Sequence, residues 1–138
     1  MSVLIDSGVW IAFYNTRDQY YEKAVILMKE IDSGSHDGLF STDYIMDESV
    51  NYCLTKYSPD KSLFVGEAIM NTTEMIKINQ DVFYKSWDLF KQDKQTKSNI
   101  KFLSFTDCTS IVAAKLLNIN YIATFDSGFK KYLNILNG

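Results

Sequence analysis

Val3-Leu4-Ile5-Asp6-Ser7-Gly8-Val9-Trp10-Ile11-Ala12-Phe13 is the stretch on which the reading of this chain turns. A short run of branched apolar residues at its start has no polar alternation, which predicts a strand covered on both faces. Asp6 then supplies a side chain suited to capping a helix. Trp10, Ile11 and Phe13 follow at helical spacing. A strand that hands directly to a helix is half of a β-α-β unit, and it leaves one carboxylate just beyond the strand's end.

Outward from this segment the same alternation recurs. Thr16-Arg17-Asp18-Gln19 is expected to cap a helix carrying Ala24, Leu27, Met28 and Ile31. Gly38-Leu39-Phe40-Ser41 reads as a second strand and Asp43 to Tyr57 as a helix. Ser58-Pro59 opens another helix, with serine as cap and proline at the first position. Glu74 to Ile78 reads as a third strand, and Asn79 caps a helix bearing Val82, Phe83, Trp87 and Phe90. Ser104-Phe105-Thr106-Asp107 has the pattern of a capping box ahead of Ile111 to Leu117. Tyr121 to Thr124 reads as a fourth strand, a short helical turn follows Asp126, and Tyr132 to Leu136 reads as a fifth strand. Strands alternating with helices imply right-handed crossovers. The expected fold is therefore α/β, three-layered, with a mainly parallel central sheet of about five strands. Ligand sites in such sheets lie beyond the C-terminal strand ends.

Bulk properties narrow the function. The 138 residues suit one domain, 1–138, and a composition 46% hydrophobic and 22% charged excludes a disordered chain. The N-terminus lacks the basic and apolar pattern of a signal peptide, and no apolar run is long enough to span a bilayer, so a cytoplasmic protein without membrane association is expected. Cys53 and Cys108 are far apart and His36 is the sole histidine. Structural zinc and Ser-His-Asp or Cys-His catalysis are therefore disfavoured. His36, in a Gly/Ser-rich stretch, is expected in a solvated loop.

Four acids remain as candidates for chemistry: Asp6 after the first strand, Glu48 within the helix after the second, Asp107 in the first turn of the Ser104 helix, and Asp126 after the fourth strand. Each also has a plain local role, as a cap for the aspartates and as a solvated helix residue for Glu48. Brought to one sheet edge, their charges repel, and a hard divalent cation relieves the repulsion. Such a cation activates water and neutralises a scissile phosphate.

The segments around these acids resemble the four acidic motifs of the PIN-domain family, in order and over essentially the whole chain. They are Val3 to Phe13, Thr42 to Glu48, Leu103 to Cys108 and Ile122 to Phe129. The small stand-alone form resembles VapC-type toxins. The resemblance implies a single PIN-like nuclease domain that hydrolyses RNA with Mg2+ or Mn2+, with Asp6, Glu48, Asp107 and Asp126 as catalytic metal ligands. It implies Ser7, Thr106 and Thr124 as supporting hydroxyls, a small antitoxin partner and a homodimer. Arg17 is the only arginine among fourteen basic residues, so it is the candidate for gripping phosphate, with Lys91 to Lys101 read mainly as a solvated face. Among the aromatics able to stack bases (Trp10, Tyr20, Tyr21, Tyr44 and Trp87), Tyr44 is weighted first. The net charge of −3 sits uneasily with nucleic-acid binding. Two other readings compete. A non-catalytic PIN-like interaction module would keep the fold without the chemistry. A phosphoacceptor domain would need paired acids where Asp6 is followed by Ser7, and an aspartate after a third strand that ends in Ile78-Asn79.

Overall fold

The computed structural model describes residues 1–34, 37–97 and 99–138; His36 lies outside them. Strands β1 (Ser2–Ile5), β2 (Gly38–Thr42), β3 (Glu74–Ile76), β4 (Tyr121–Ala123) and β5 (Asn134–Leu136) form one sheet in the order β3-β2-β1-β4-β5. Every pairing is parallel. The helices are α1 (Ser7–Phe13), α2 (Tyr21–Ser33), α3 (Asp43–Lys56), α4 (Pro59–Thr72), α5 (Gln80–Lys94) and α6 (Phe105–Leu116), with a 3-10 turn at Ser127–Lys131.

Val3, Leu4 and Ile5 are consecutive and all fully buried. Successive strand residues point to opposite faces, so both faces of β1 are covered and the sheet is the middle of three layers. The edge strands are correspondingly more polar: Glu74 and Met75 of β3 and Asn134 of β5 are exposed. No helix among the described residues is long and apolar enough to cross a membrane.

The chain runs β1 to β2 to β3 in one direction and then crosses to β4 on the other side of β1. That reversal makes the β1–β4 boundary the switch point, where the crossovers diverge and leave a crevice. Backbone pairing carries both strands past their nominal ends. The Asp6 N–H donates to the Ala123 carbonyl at 3.0 Å and the Thr124 N–H to the Leu136 carbonyl at 3.0 Å.

Several caps form as the side chains dictate. Ser58 accepts from the Lys61 N–H at 3.1 Å, Asn79 from the Val82 N–H at 2.9 Å, and Ser104 with Asp107 closes the capping box. Three boundaries differ from expectation. Helix α2 has no side-chain cap and starts after Tyr20; Asp18 instead accepts the Tyr20 N–H at 2.8 Å, turning the loop ahead of the helix. Strand β3 stops at Ile76 because the Ile78 N–H donates to Asp43 at 3.0 Å instead of to the ladder. Strand β5 begins only at Asn134, since the Tyr132 N–H is committed to Phe129 within the 3-10 turn.

Candidate active site

Asp6 ends β1 and caps α1, accepting the Ser7 N–H on Oδ1 at 2.9 Å. Its Oδ2 accepts the Thr124 hydroxyl at 2.7 Å, across 118 residues of sequence. The Thr124 oxygen in turn accepts the Asp126 N–H at 3.0 Å. Asp126 accepts the Gly128 N–H on Oδ1 at 2.8 Å and Lys101 Nζ on Oδ2 at 3.1 Å. From α3, Glu48 Oε1 accepts the Ser7 hydroxyl. From α6, Asp107 accepts the Ser104 N–H at 3.1 Å. Asp6, Glu48, Asp107 and Asp126 line one cavity of about 610 Å³. The aspartates are therefore helix or turn caps and cavity residues at once; for them the local and the chemical reading describe one geometry.

The electrostatics follow from burial. Asp6 is only 7% exposed. Burial, then the Asp107 charge, then that of Glu48 push its carboxyl up to about 7, against the restraining Thr124 hydrogen bond. Burial also raises Asp107, to about 6, against the bonds to Ser104, with Asp126 and then Glu48 adding repulsion. Lys101 is the protein's own cation in this cavity, and it is spent on Asp126. Gly128 holds Asp126 through its N–H. A Cβ on Gly128 would lie 2.9 Å from the Lys101 carbonyl and 2.9 Å from Leu103 Cδ2, so only glycine lets the 101–103 segment close over it.

The donor set fits a hard divalent cation: carboxylates and hydroxyls, with neither histidine nor thiol among the described residues that line the cavity. Among the described residues no three Asp, Glu, His or Cys side chains close round a single point. Ser7, Thr124 and Lys101 hold individual carboxylates apart. Mg2+ keeps several waters and needs only one or two carboxylates directly, so this spacing suits it.

Not every expected residue is here. Ser7 and Thr124 are in the cavity, each bonded to a carboxylate. Tyr44 and Thr106 line an adjoining hollow that shares Glu48 with it. Arg17 does not face the acids: it lines a separate hollow with Lys56, Tyr57 and Lys61, because the loop that bears it packs against the end of α3. Conversely Lys101, Tyr20 and Phe102 line the acid cavity. Lys101 belongs to a lysine-rich stretch that reads as a solvated face, Tyr20 gives a weaker sequence signal than Tyr44, and Phe102 gives none.

A second buried carboxylate went unnoticed in the sequence. Asp93, at the end of α5, is completely buried and bonds Lys131, Lys94, the Tyr132 hydroxyl and the Leu103 N–H. Burial alone would raise its carboxyl, but the Leu103 N–H and the two ammonium groups reverse this and hold it at about 2. Lys94 also donates to the Leu103 carbonyl and Lys131 to that of Lys101, so this knot ties down the segment that carries Lys101 and Phe102.

The PIN domain family model matches residues 3–133. The VapC ribonuclease of Archaeoglobus fulgidus is 31% identical over 132 residues, covering 94% of this chain and 80% of that protein. Among solved structures, Mycobacterium tuberculosis VapC20, described as a sarcin-ricin loop cleaving toxin, superposes with a TM-score of 0.80 at 14% identity, over 94% of this chain and 93% of that one. VapBC2 from Rickettsia felis, bound to a DNA fragment from their promoter, gives a TM-score of 0.69 at 12% identity, over 98% and 97%. At these identities the solved structures speak to fold.

Proposed function

This chain belongs to the PIN-domain family, and from that premise we propose that it is a Mg2+- or Mn2+-dependent endoribonuclease acting as the toxin of a toxin–antitoxin pair. One observation carries the reading. Carboxylates from four separate stretches share a cavity with, among the described residues, a single lysine, so that Asp6 is left without a counter-charge and Asp107 has only the Lys101 charge already paired with Asp126. A buried anion in that condition is a site built for a cation.

Asp6, Asp107 and Asp126 would hold the ion, with Glu48 directly or through water. When bound, the ion makes water a competent nucleophile near neutral pH and neutralises charge on the phosphate. The chain's own residues do the orienting. Thr124 fixes one oxygen of Asp6 and the backbone of Asp126 together, so the two carboxylates move as a unit. Ser7 steers Glu48 inward from the exposed flank of α3. Lys101, free to pivot on its exposed stem, is placed to meet a phosphate oxygen arriving beside Asp126.

The test is cleavage of unpaired RNA by purified protein in Mg2+ or Mn2+. Cutting should cease in EDTA and in Asp107→Asn. A wild-type protein that cuts nothing across a broad RNA panel in Mn2+ would turn the assignment to a non-catalytic interaction module. A small antitoxin belongs to the same reading, supported by the VapC relative and by the VapBC2 structure, and we extend that reading to a homodimer acting in the cytoplasm. Co-expression with a small DNA-binding protein encoded next door, followed by co-purification, tests the first of these.

A further inference from the structure

Binding an ion and a phosphate requires none of the aromatic surface that this cavity contains. Tyr20, Phe102 and Phe125 line it together with the acids. Tyr20 lies flat on Phe125, centroids 4.8 Å apart and planes 13° from parallel. Phe125 sits between Thr124 and Asp126, so the ring pair is joined through one residue of backbone to the carboxylates. Tyr20 remains 37% exposed and Phe102 50% exposed. Tyr20 and Phe102 thus keep part of their ring surface open where they line the cavity.

Both walls are braced by neighbouring groups. Asp18 fixes the Tyr20 backbone, and Phe125 backs its ring. The Asp93 knot fixes Leu103 next to Phe102. Lys94 and Lys131 lie 5.5 and 5.9 Å from the Phe102 ring. Exposed rings beside a phosphate-binding site are a recurrent means of holding single-stranded nucleic acid, the rings taking the bases; Lys94 and Lys131 are committed to Asp93 and brace the Phe102 wall.

We infer that Tyr20 on Phe125, with Phe102 in the same cavity, is a nucleobase subsite for a nucleotide flanking the scissile phosphate. This rests on the nuclease reading and adds to it a base-binding role for named residues. A base inside a duplex has both faces covered by its neighbours, so only an unstacked nucleotide can use the rings. Tyr20 contributes affinity through the base while the acids act on the phosphate.

The experiment compares wild type, Tyr20→Phe, Tyr20→Ala and Phe102→Ala. Binding is measured by fluorescence anisotropy with a short labelled oligoadenylate and with an abasic oligomer of equal charge, in Ca2+ in place of Mg2+. Cleavage of the oligoadenylate in Mn2+ is followed in parallel. Wild type should prefer the base-bearing strand. Tyr20→Ala should lose roughly ten-fold in affinity for it, and little for the abasic strand. Tyr20→Phe should retain binding, and the cleavage defect of Tyr20→Ala should appear in KM more than in kcat. Equal binding of both strands by wild type, or no binding of either, overturns the inference. So does a Tyr20→Ala protein that melts earlier yet binds as wild type, which would make the ring pair a fastening for the loop. Should wild type cut RNA while Tyr20→Ala is unaltered, the subsite fails and the nuclease stands. Preferential base binding without cleavage in any metal has the reverse meaning.

Discussion

Asp6 and Asp93 are both buried carboxylates, and the protein treats them in opposite ways. Asp93 meets two ammonium groups, a backbone N–H and a phenol, and its carboxyl is held at about 2. Asp6 meets one N–H, one hydroxyl and the repulsion of its neighbours, and its carboxyl rises to about 7. The first is an anion satisfied by the polypeptide; the second is an anion left for something else to satisfy. The contrast teaches that burial by itself does not mark a functional acid. What marks it is burial without a resident partner.

The largest expected effect is on activity. Asp6→Asn should reduce RNA cleavage roughly a thousand-fold, since several kcal/mol of charge stabilisation are at stake. The same change should raise the stability of the metal-free protein, measured by urea unfolding in EDTA. The amide can still accept the Ser7 N–H, and a repelled charge is gone. A variant both inactive and less stable than wild type in EDTA would break the comparison.

Asp93→Ala should behave conversely. Two lysines and the Leu103 N–H lose their partner, and stability should fall by about 3 kcal/mol or more in the same unfolding assay. A loss below about 1 kcal/mol would show that the knot is not the satisfied anion described above.

Acidity separates the two sites without mutation. Folded Asp6 and Asp107 hold their protons up to about 7 and 6, against 3.8 for an ordinary aspartate. Between those values the folded state binds more protons than the unfolded one, so stability falls as pH rises from about 4 to 7. Asp93 runs the other way: its contribution is present above 3.8 and is lost as pH falls through about 2. In EDTA the melting temperature should therefore decline from about pH 4 to pH 7, and saturating Mg2+ should remove that decline. A flat profile in EDTA would remove the electrostatic basis of the site.

The smallest effect belongs to Lys101, whose side chain is 67% exposed. Lys101→Gln should change stability by less than about 0.5 kcal/mol. Mn2+ binding, followed calorimetrically, should tighten a few-fold once Asp126 has no internal competitor. Weaker Mn2+ binding would mean that Lys101 organises the acids instead of competing for one of them.

Much of this was legible from local chemistry. Val3-Leu4-Ile5 reads as a doubly covered strand because nothing in it is polar, and Ser58, Asn79 and Ser104 announce helix starts through their side chains. The meeting of Asp6 and Asp126 follows from one rule, that parallel strands end on the same edge; Glu48 and Asp107 reach that edge from helices α3 and α6. What escaped depends on how long segments return to that edge. Arg17 and Tyr20 are three residues apart, yet the turn set by Asp18 sends one to the hollow beside Tyr57 and the other into the acid cavity. Lys101 and Phe102 enter because Asp93 reaches Lys131, 38 positions away, and pulls their segment down. A lysine-rich stretch read by composition gives no hint of that tether.

The double duty of the aspartates bears on how activity can be lost. At positions 6, 107 and 126 the oxygen that accepts a backbone N–H survives conversion to asparagine, whereas the charge does not. One transition in an aspartate codon is enough for that conversion. Alleles silenced at these three codons should therefore encode full-length, well-folded chains that keep the outer surfaces through which the protein meets other molecules.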